Sequence, residues 1–550
     1  MKKYILRASF ILLFFLCGCV IPEAGIYIRI NQVGYLPTDE KTAIVIAKED
    51  ISKLEYLVYN TNGKIADRGT IGTSKGKYGE FNFSYEINFS NLRSTGSYSI
   101  QIGESKSPEF KIGRNIFNQI TDSLLTFYKV QRCGYTSPYL HGLCHTADAT
   151  SLIGNEVQID KTYDVTGGWH DAGDYTKFLN TTAFATYMML FSYEFDPVKF
   201  GFDHNKNNIP DILEEAKVGL DWLIRASYNN KFITQVQNEK DQDVGWRLPE
   251  DDPLQFDRPA FVGIGKNLIG IYVATMSLAS RIWRDVVKYD EFADQCLKLA
   301  ENYYSLRDAV PDIATSGTGV YVDQNYEGKM ALGAVELFST TGRNNVLDEA
   351  VTYADAAQSD YWWSWGDINI LAHYKLSKYD NKYIEFLKNN LVHFSQTADS
   401  TIFGRGVEVS WGTNHAILGV TLQNILYSKI SNDRSFNSLA IKQRDYILGR
   451  NPWGVSFISG FGETRTENFH HQVAYFNNGK LPGALAAGPI PKSILNDYEI
   501  EFEKRDRFAK FQTKEVVYID DRMDYISNEP TISSNATAIF VMGYFSSRQP

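Results

Sequence analysis

The chain has 550 residues, and a prior of roughly one domain per 150 residues would give three or four domains. Large helical barrels break that rule, so two or three are expected. It carries 55 basic against 65 acidic residues with no basic stripe, which argues against nucleic acid as a partner.

The first residues read as an export signal. Lys2, Lys3 and Arg7 form a positive region, and Ile11 to Leu16 an apolar run shorter than the roughly 20 residues a bilayer span needs. Leu16-Cys17-Gly18-Cys19 resembles a bacterial lipobox, so residues 1–19 are expected to be a lipoprotein signal peptide with Cys19 acylated. A plainly cleaved signal is the alternative. A two-chain lipid anchor would hold the protein stably on a membrane of the cell envelope, outer membrane or cell surface. Of the five cysteines, only Cys133, Cys144 and Cys296 remain for the folded part, too few for a disulfide framework.

Residues 26–113 look all-β. Tyr27-Ile28-Arg29-Ile30, Thr42 to Ile46, Leu54 to Tyr59 and Ser97 to Ile102 alternate, and turn signals such as Asn60-Thr61-Asn62-Gly63 separate them. Such spacing predicts a small β-sandwich. From residue 114 to 550 helical periodicity takes over. About twelve segments show the i, i+3, i+4 pattern, from Phe117–Val130 to Asn535–Tyr544, with Gly-, Pro- and Asp-rich loops between them and no strand alternation. A closed helical toroid is expected, packed directly on the sandwich.

Two clusters carry chemistry. In Gly168-Trp169-His170-Asp171-Ala172-Gly173-Asp174, two Asp flank a small Ala-Gly pair. On a tight loop both carboxylates can enter one pocket, where one takes a proton from water and the other orients it. A helix cap followed by a turn is the plainer reading. Near the C-terminus, Tyr518 to Glu529 is dense in acids yet partly apolar. Charge there is costly unless paired or functional, and Arg522 is the expected partner. Glu529 precedes Pro530, so it takes extended or turn backbone, and a carboxyl in a partly apolar pocket can stay protonated as a general acid.

Together these clusters resemble glycoside hydrolase family 9 over nearly the full length. Ile28-Arg29-Ile30-Asn31-Gln32-Val33-Gly34-Tyr35 looks like the opening of the immunoglobulin-like domain that precedes many members. Gln131-Arg132-Cys133-Gly134, Cys144-His145, Asp171-Ala172-Gly173-Asp174, Gly449-Arg450-Asn451-Pro452 and Asn528-Glu529 follow in the family's order. The resemblance implies an (α/α)6 barrel behind an immunoglobulin-like sandwich. It also implies inverting hydrolysis of β-1,4-glucans, with Asp174 as general base, Asp171 as its partner and Glu529 as general acid. His470 matches a substrate-binding His. Gln472 stands where the family usually has an Arg, which leaves subsite preference open.

Cys133, Cys144, His145 and His170 form a Cys2His2 set that suits closed, structural zinc, as in members with these motifs; a Cys133–Cys144 disulfide is the alternative. Asp203, Asn205, Asn207, Ile209 through its carbonyl, Asp211 and Glu214 follow the spacing of a calcium loop. The same stretch also reads as a helix start, with Pro210 near N1. Trp246, Trp362, Trp363, Trp365 and Trp411 fall in loops or helix starts. Trp411, before a Gly-Thr-Asn turn, is the best stacking candidate, and Tyr525 is a further substrate contact. An endo-acting β-1,4-glucanase on cellulose-like, mixed-linkage or xyloglucan chains is the leading expectation, as a monomer. An exo-acting glucosidase or glucosaminidase and a non-catalytic glycan-binding lipoprotein are the alternatives.

Overall fold

The computed structural model describes residues 25–154, 157–159 (backbone only), 162–314 and 317–548. The export signal, Cys17 and Cys19 lie outside the described residues.

The N-terminal strands are β1 Ile26–Arg29, β2 Gly34–Tyr35, β3 Thr42–Ala47, β4 Glu55–Asn60, β5 Ile65–Thr70, β6 Phe83–Asn88, β7 Gly96–Ile102, β8 Ser105–Lys106 and β9 Phe110–Ile112. They form two sheets, ordered β1-β3-β6 and β2-β9-β7-β4-β5, with β8 paired to β7. Strand alternation then sorts the side chains. In β3, Ala43, Val45 and Ala47 join the sandwich core with Val58, Tyr85 and Ile100. Ile44 and Ile46 face the other way and join the core of the helical part. A strand buried on both faces explains why Ala43 to Ala47 form an unbroken apolar run.

Twelve longer helices follow: α1 Asn118–Gln131, α2 Leu179–Phe195, α3 Asp211–Arg225, α4 Lys266–Ile282, α5 Asp290–Ser305, α6 Glu327–Thr341, α7 Asn344–Ala357, α8 Asn369–Leu376, α9 Lys382–Asp399, α10 Thr413–Ser431, α11 Asn437–Ile447 and α12 Ile532–Phe545. The even-numbered helices touch in the order α2, α4, α6, α8, α10, α12 and back to α2, closing an inner ring. They are buried along most of their length. The odd-numbered helices form the outer ring. In α3, for example, Ile212, Leu213, Ala216, Leu220 and Leu223 are buried, while Lys217 and Asp221 form a partly exposed ion pair. Glycine sets the closest approach. A Cβ at Gly270 of α4 would lie 2.4 Å from the backbone carbon of Lys329 in α6. This is the expected (α/α)6 barrel. No helix among the described residues is long and apolar enough to cross a membrane.

One expectation fails. The helical part does contain strands: Ser151–Gly154, Val157–Ile159, Lys177–Phe178, Ser227–Tyr228, Lys231–Val236 and Pro259–Gly263 make a six-stranded sheet. These runs are short and set in long loops, where a few apolar residues cannot be told from a buried turn.

Because inner and outer helices alternate, every inner helix starts at the same end of the barrel. The loops preceding them, including the long segments 132–178, 226–265 and 448–531, therefore gather there.

Candidate active site

The segment 170–174 is held from three directions. The backbone N–H of His170 donates to the Gln131 carbonyl at the C-terminus of α1, 2.8 Å. The Gln131 amide donates back to the carbonyls of His170 and Ala172, 3.1 and 2.6 Å. The Ile532 N–H at the start of α12 donates to the Asp171 carbonyl, 2.9 Å. Behind Gln131 stands His471, its Nε2 2.6 Å from Gln131 Oε1. Its Nδ1 accepts from the N–H groups of Val473 and Ala474, capping the short helix Gln472–Phe476. That acceptor role requires Nε2 to carry the proton, so His471 is a neutral brace; burial pushes its pKa well down.

Asp171, Asp174 and Glu529 come together at Gly173. The Gly173 N–H donates to Glu529 Oε1, 3.0 Å. A Cβ at Gly173 would lie 2.3 Å from the His470 carbonyl and 3.0 Å from Glu529, so only glycine fits. Asp171 is buried; its carboxylate accepts from the Thr181 hydroxyl and, at 2.6 Å, from Tyr321. Asp174 accepts from the Thr176 N–H and hydroxyl, 3.1 and 3.3 Å. Glu529 caps the end of the helix Tyr525–Asn528 in extended backbone (φ −78°, ψ 124°), as a residue before proline should.

The three carboxyls share a raised proton affinity. Burial lifts Asp171 to about 6 against the hydrogen bonds it accepts. Burial and the negative charge of Asp241 lift Asp174 to about 7. Burial and the charge of Asp174 lift Glu529 well above the usual carboxylate range. Glu529 therefore holds a proton most readily.

Aromatic groups flank this pocket through His470. Its ring lies 5.1 Å from Trp246 on one side and 5.7 Å from Tyr525 on the other. Trp246 stacks on Tyr475 at 4.8 Å, and the Arg522 guanidinium stands over Tyr475 at 5.0 Å. Tyr525 meets Tyr498 and Trp411, and Trp411 is 43 % exposed, available to a ligand. His470 Nδ1 lies 2.7 Å from the Arg522 carbonyl, so it is the donor and Nε2 is left as an acceptor. Gln472 is buried, and its Oε1 accepts from the Arg247 N–H, 2.9 Å, tying the Trp246 loop in place. Trp365 packs edge-on against Tyr321, whereas Trp363 and Trp169 are core residues. Arg522 pairs with Glu503 at 3.0 Å rather than with the acids of its own segment; Arg507 neutralises Asp520. Tyr321 was not singled out from the sequence, and Gln131 entered only as part of a family motif without a role, because their partners lie far away in the chain.

The ligating atoms of Cys133, Cys144, His145 and His170 all lie within 4.8 Å of one another, and all four residues are buried. His145 Nδ1 approaches His170 Nε2 at 3.1 Å and Cys133 Sγ at 3.6 Å, a crowding of donors that a shared cation would resolve. Cys133 and Cys144 are not joined by a disulfide. His145 Nε2 lies 2.9 Å from Asp252, the carboxylate–imidazole arrangement that orients metal ligands. Two sulfurs and two imidazoles without an open position fit a structural zinc ion, which would hold His170 next to Asp171.

The loop 203–214 lies between α2 and α3, at the opposite end of the barrel. Asp203 accepts from the N–H groups of Lys206, Asn207 and Asn208, folding the loop around its carboxylate. Asn208 takes positive φ (69°), as expected at a position usually held by glycine. Glu214 is gripped by the amides of Asn205 and Asn207. Asp211 turns to His204, 2.5 Å.

Residues 117–542 match the family model "Glycosyl hydrolase family 9", and residues 23–107 match "Cellulase N-terminal ig-like domain". Endoglucanase D of Acetivibrio thermocellus is 25% identical over 560 residues, 94% of this chain and 83% of that protein. A xyloglucan-specific endo-β-1,4-glucanase of Bacteroides ovatus is 23% identical over 584 residues, 94% of this chain and 93% of that protein. The crystal structure of a metagenome-derived family 9 endoglucanase shares the fold at a TM-score of 0.81 and 24% identity, covering 95% of this chain and 99% of that one. A toroid of paired helices, three carboxyls gathered at Gly173 and a family match spanning the whole barrel lead to one assignment: this chain is a member of glycosyl hydrolase family 9, carrying the family's immunoglobulin-like domain at its N-terminus.

Proposed function

We propose that this glycoside hydrolase is an inverting endo-β-1,4-glucanase acting on cellulose-like, mixed-linkage or xyloglucan chains. The observation that carries the reading is the meeting of Asp171, Asp174 and Glu529 at Gly173, with the highest proton affinity on Glu529. Glu529 gives its proton to the glycosidic oxygen as the bond breaks. Asp174 takes a proton from the attacking water, which Asp171 helps to orient. Water enters opposite the leaving group, so the released anomer is inverted, a route that wants acid and base about 6.5–9.5 Å apart. Aromatic groups on both sides of His470 support binding of several sugars across the cleft, as internal cleavage requires. The names of the similar endoglucanases point the same way.

Structural zinc on Cys133, Cys144, His145 and His170 belongs to the same reading, as does calcium in the loop 203–214 and anchoring of the exported chain through Cys19. The test is digestion of a panel of soluble β-glucans, with product lengths followed over time and NMR of the first anomer released. A rapid fall in chain length with α-anomers first is expected. Single units or disaccharides released from the first minutes, with length otherwise kept, would assign exo action; β-anomers would refute inversion.

A further inference from the structure

Lys329 is an anomaly of the helical barrel. It sits in the first turn of α6, where the helix dipole favours an anion over a cation, and it is 2 % exposed. An ammonium taken out of water is costly unless paired, and replacing such a pair by apolar side chains is often neutral for stability. A stabilising role alone does not account for it. Its Nζ donates to Asp323, which is also buried. The other Asp323 oxygen accepts from the Asn267 amide in the first turn of α4, 2.7 Å. Asn267 exchanges two further hydrogen bonds with the backbone of Ala314, both 2.9 Å. Its amide donates to the Ala314 carbonyl, and its Oδ1 accepts from the Ala314 N–H. Ala314 and Asp323 are thus tied to one side chain, and Tyr321 lies between them in the chain.

The ammonium reaches the same tyrosine by a second route. It stands over the ring of Trp365, in the loop before α8, at 5.1 Å. Trp365 meets Tyr321 edge-on, with ring centroids 5.1 Å apart at 80°. That loop also packs on the Lys329 partner, since a Cβ at Gly366 would lie 3.3 Å from Asp323 Oδ1. Phe178 meets the Tyr321 ring as well, at 4.8 Å and 85°. The Tyr321 hydroxyl then donates to Asp171 Oδ2 at 2.6 Å. A phenol fixes the direction of a carboxylate only as well as its own ring is fixed, and a misplacement of about 1 Å can cost about 10²-fold in rate. We propose that Lys329 is a positioning residue for the hydrolysis: through Asp323 and through Trp365 it holds the ring of Tyr321, and with it the Asp171 carboxylate. Buried as it is, Lys329 does not reach the sugar. The inference rests on the reading of Asp171 as the group that orients the attacking water.

The experiment is a double-mutant cycle of Lys329→Met and Tyr321→Phe in the full chain, with kcat and KM measured on a soluble β-glucan and Tm alongside. Tyr321→Phe removes a hydrogen bond to a charged group and is expected to lower kcat about 10- to 100-fold. Lys329→Met is expected to lower kcat about tenfold with KM nearly unchanged. Combined, the two losses do not multiply: kcat is expected within about twofold of Tyr321→Phe alone. A general loss of packing would instead multiply with Tyr321→Phe, and losses that multiply overturn the proposal. Wild-type kcat in either single variant overturns it too, as does a rise in KM with kcat kept. Lys329→Met leaves the Asp323 charge buried without its partner, which is destabilising. If that variant does not fold, Lys329→Met with Asp323→Asn removes both charges, keeps an acceptor for Asn267, and enters the same cycle with the same outcomes. Asp171→Asn tests the underlying reading separately. Wild-type-like turnover there would remove the role of Asp171, and this inference with it; lost turnover together with multiplying effects would reject Lys329 alone.

Discussion

Three carboxyl groups that all resist ionisation cannot share a pocket without dividing the labour. Glu529 has the strongest hold on its proton and Asp174 sits near 7, so a window exists in which one is acid and the other base. Sign matters here. Activity in kcat/KM needs Asp174 ionised, so it falls as pH drops through about 7. It needs Glu529 protonated, so it falls again as pH rises through that group's higher value. The two groups interact, and the limbs report the pair. Glu529→Gln and Asp174→Asn are each expected to cut kcat by about 10²–10⁴-fold, with near-UV circular dichroism unchanged. Wild-type-like turnover in either variant would remove the assignment. The carboxyls were legible because glycines and a proline mark their local backbone. Tyr321 and the bracing role of His471 were not, since their hydrogen bonds span 150 and 340 residues of chain.

At the scale of elements, the loops that precede the inner helices carry the chemistry. Segment 132–178 holds the zinc-type cluster and two of the carboxyls, and 448–531 holds His470 and Glu529. Asp252 reaches His145 from the loop between α3 and α4, and Arg247 joins Asp252 to Asp241, which accepts the Tyr175 N–H. The Cys2His2 cluster is thereby braced to the residue after Asp174. Asp252→Asn is expected to weaken zinc binding about 10- to 100-fold, read by competition with a chromophoric chelator; unchanged affinity would deny Asp252 that role. Trp411→Ala removes one exposed ring of the Tyr525 cluster. A three- to tenfold rise in KM, about what one stacking contact is worth, is expected with kcat nearly unchanged in assays on soluble glucan. A kcat loss at constant KM would place Trp411 in the chemistry instead. Helix periods survived in the sequence because inner and outer helices each keep an apolar stripe or more. The small sheet did not, because Lys231–Val236 is paired only by other loop strands.

Across the whole molecule the sandwich and barrel share β3. Ile44 and Ile46 lie in the barrel's core, and Asn31 and Gln32 hydrogen-bond to Asp445 at 2.8 Å and to the Gly454 carbonyl at 2.7 Å. Truncating Ile44 to Ala leaves a cavity at this junction and is expected to cost about 2–5 kcal/mol. Scanning calorimetry is expected to show sandwich and barrel lowered together in one transition. Two transitions, with the barrel unmoved, would mean the domains fold independently. The sequence by itself determined the class of the domains and the barrel's helices, since period and turn residues are local properties, and its resemblance to family 9 singled out the three carboxyls. Tertiary structure alone decided that the Asp-Ala-Gly-Asp loop and Glu529 meet across one glycine, and that Gln472 and His471 brace backbone. Those outcomes depend on which distant segments are packed together, and no local pattern encodes a neighbour hundreds of residues away.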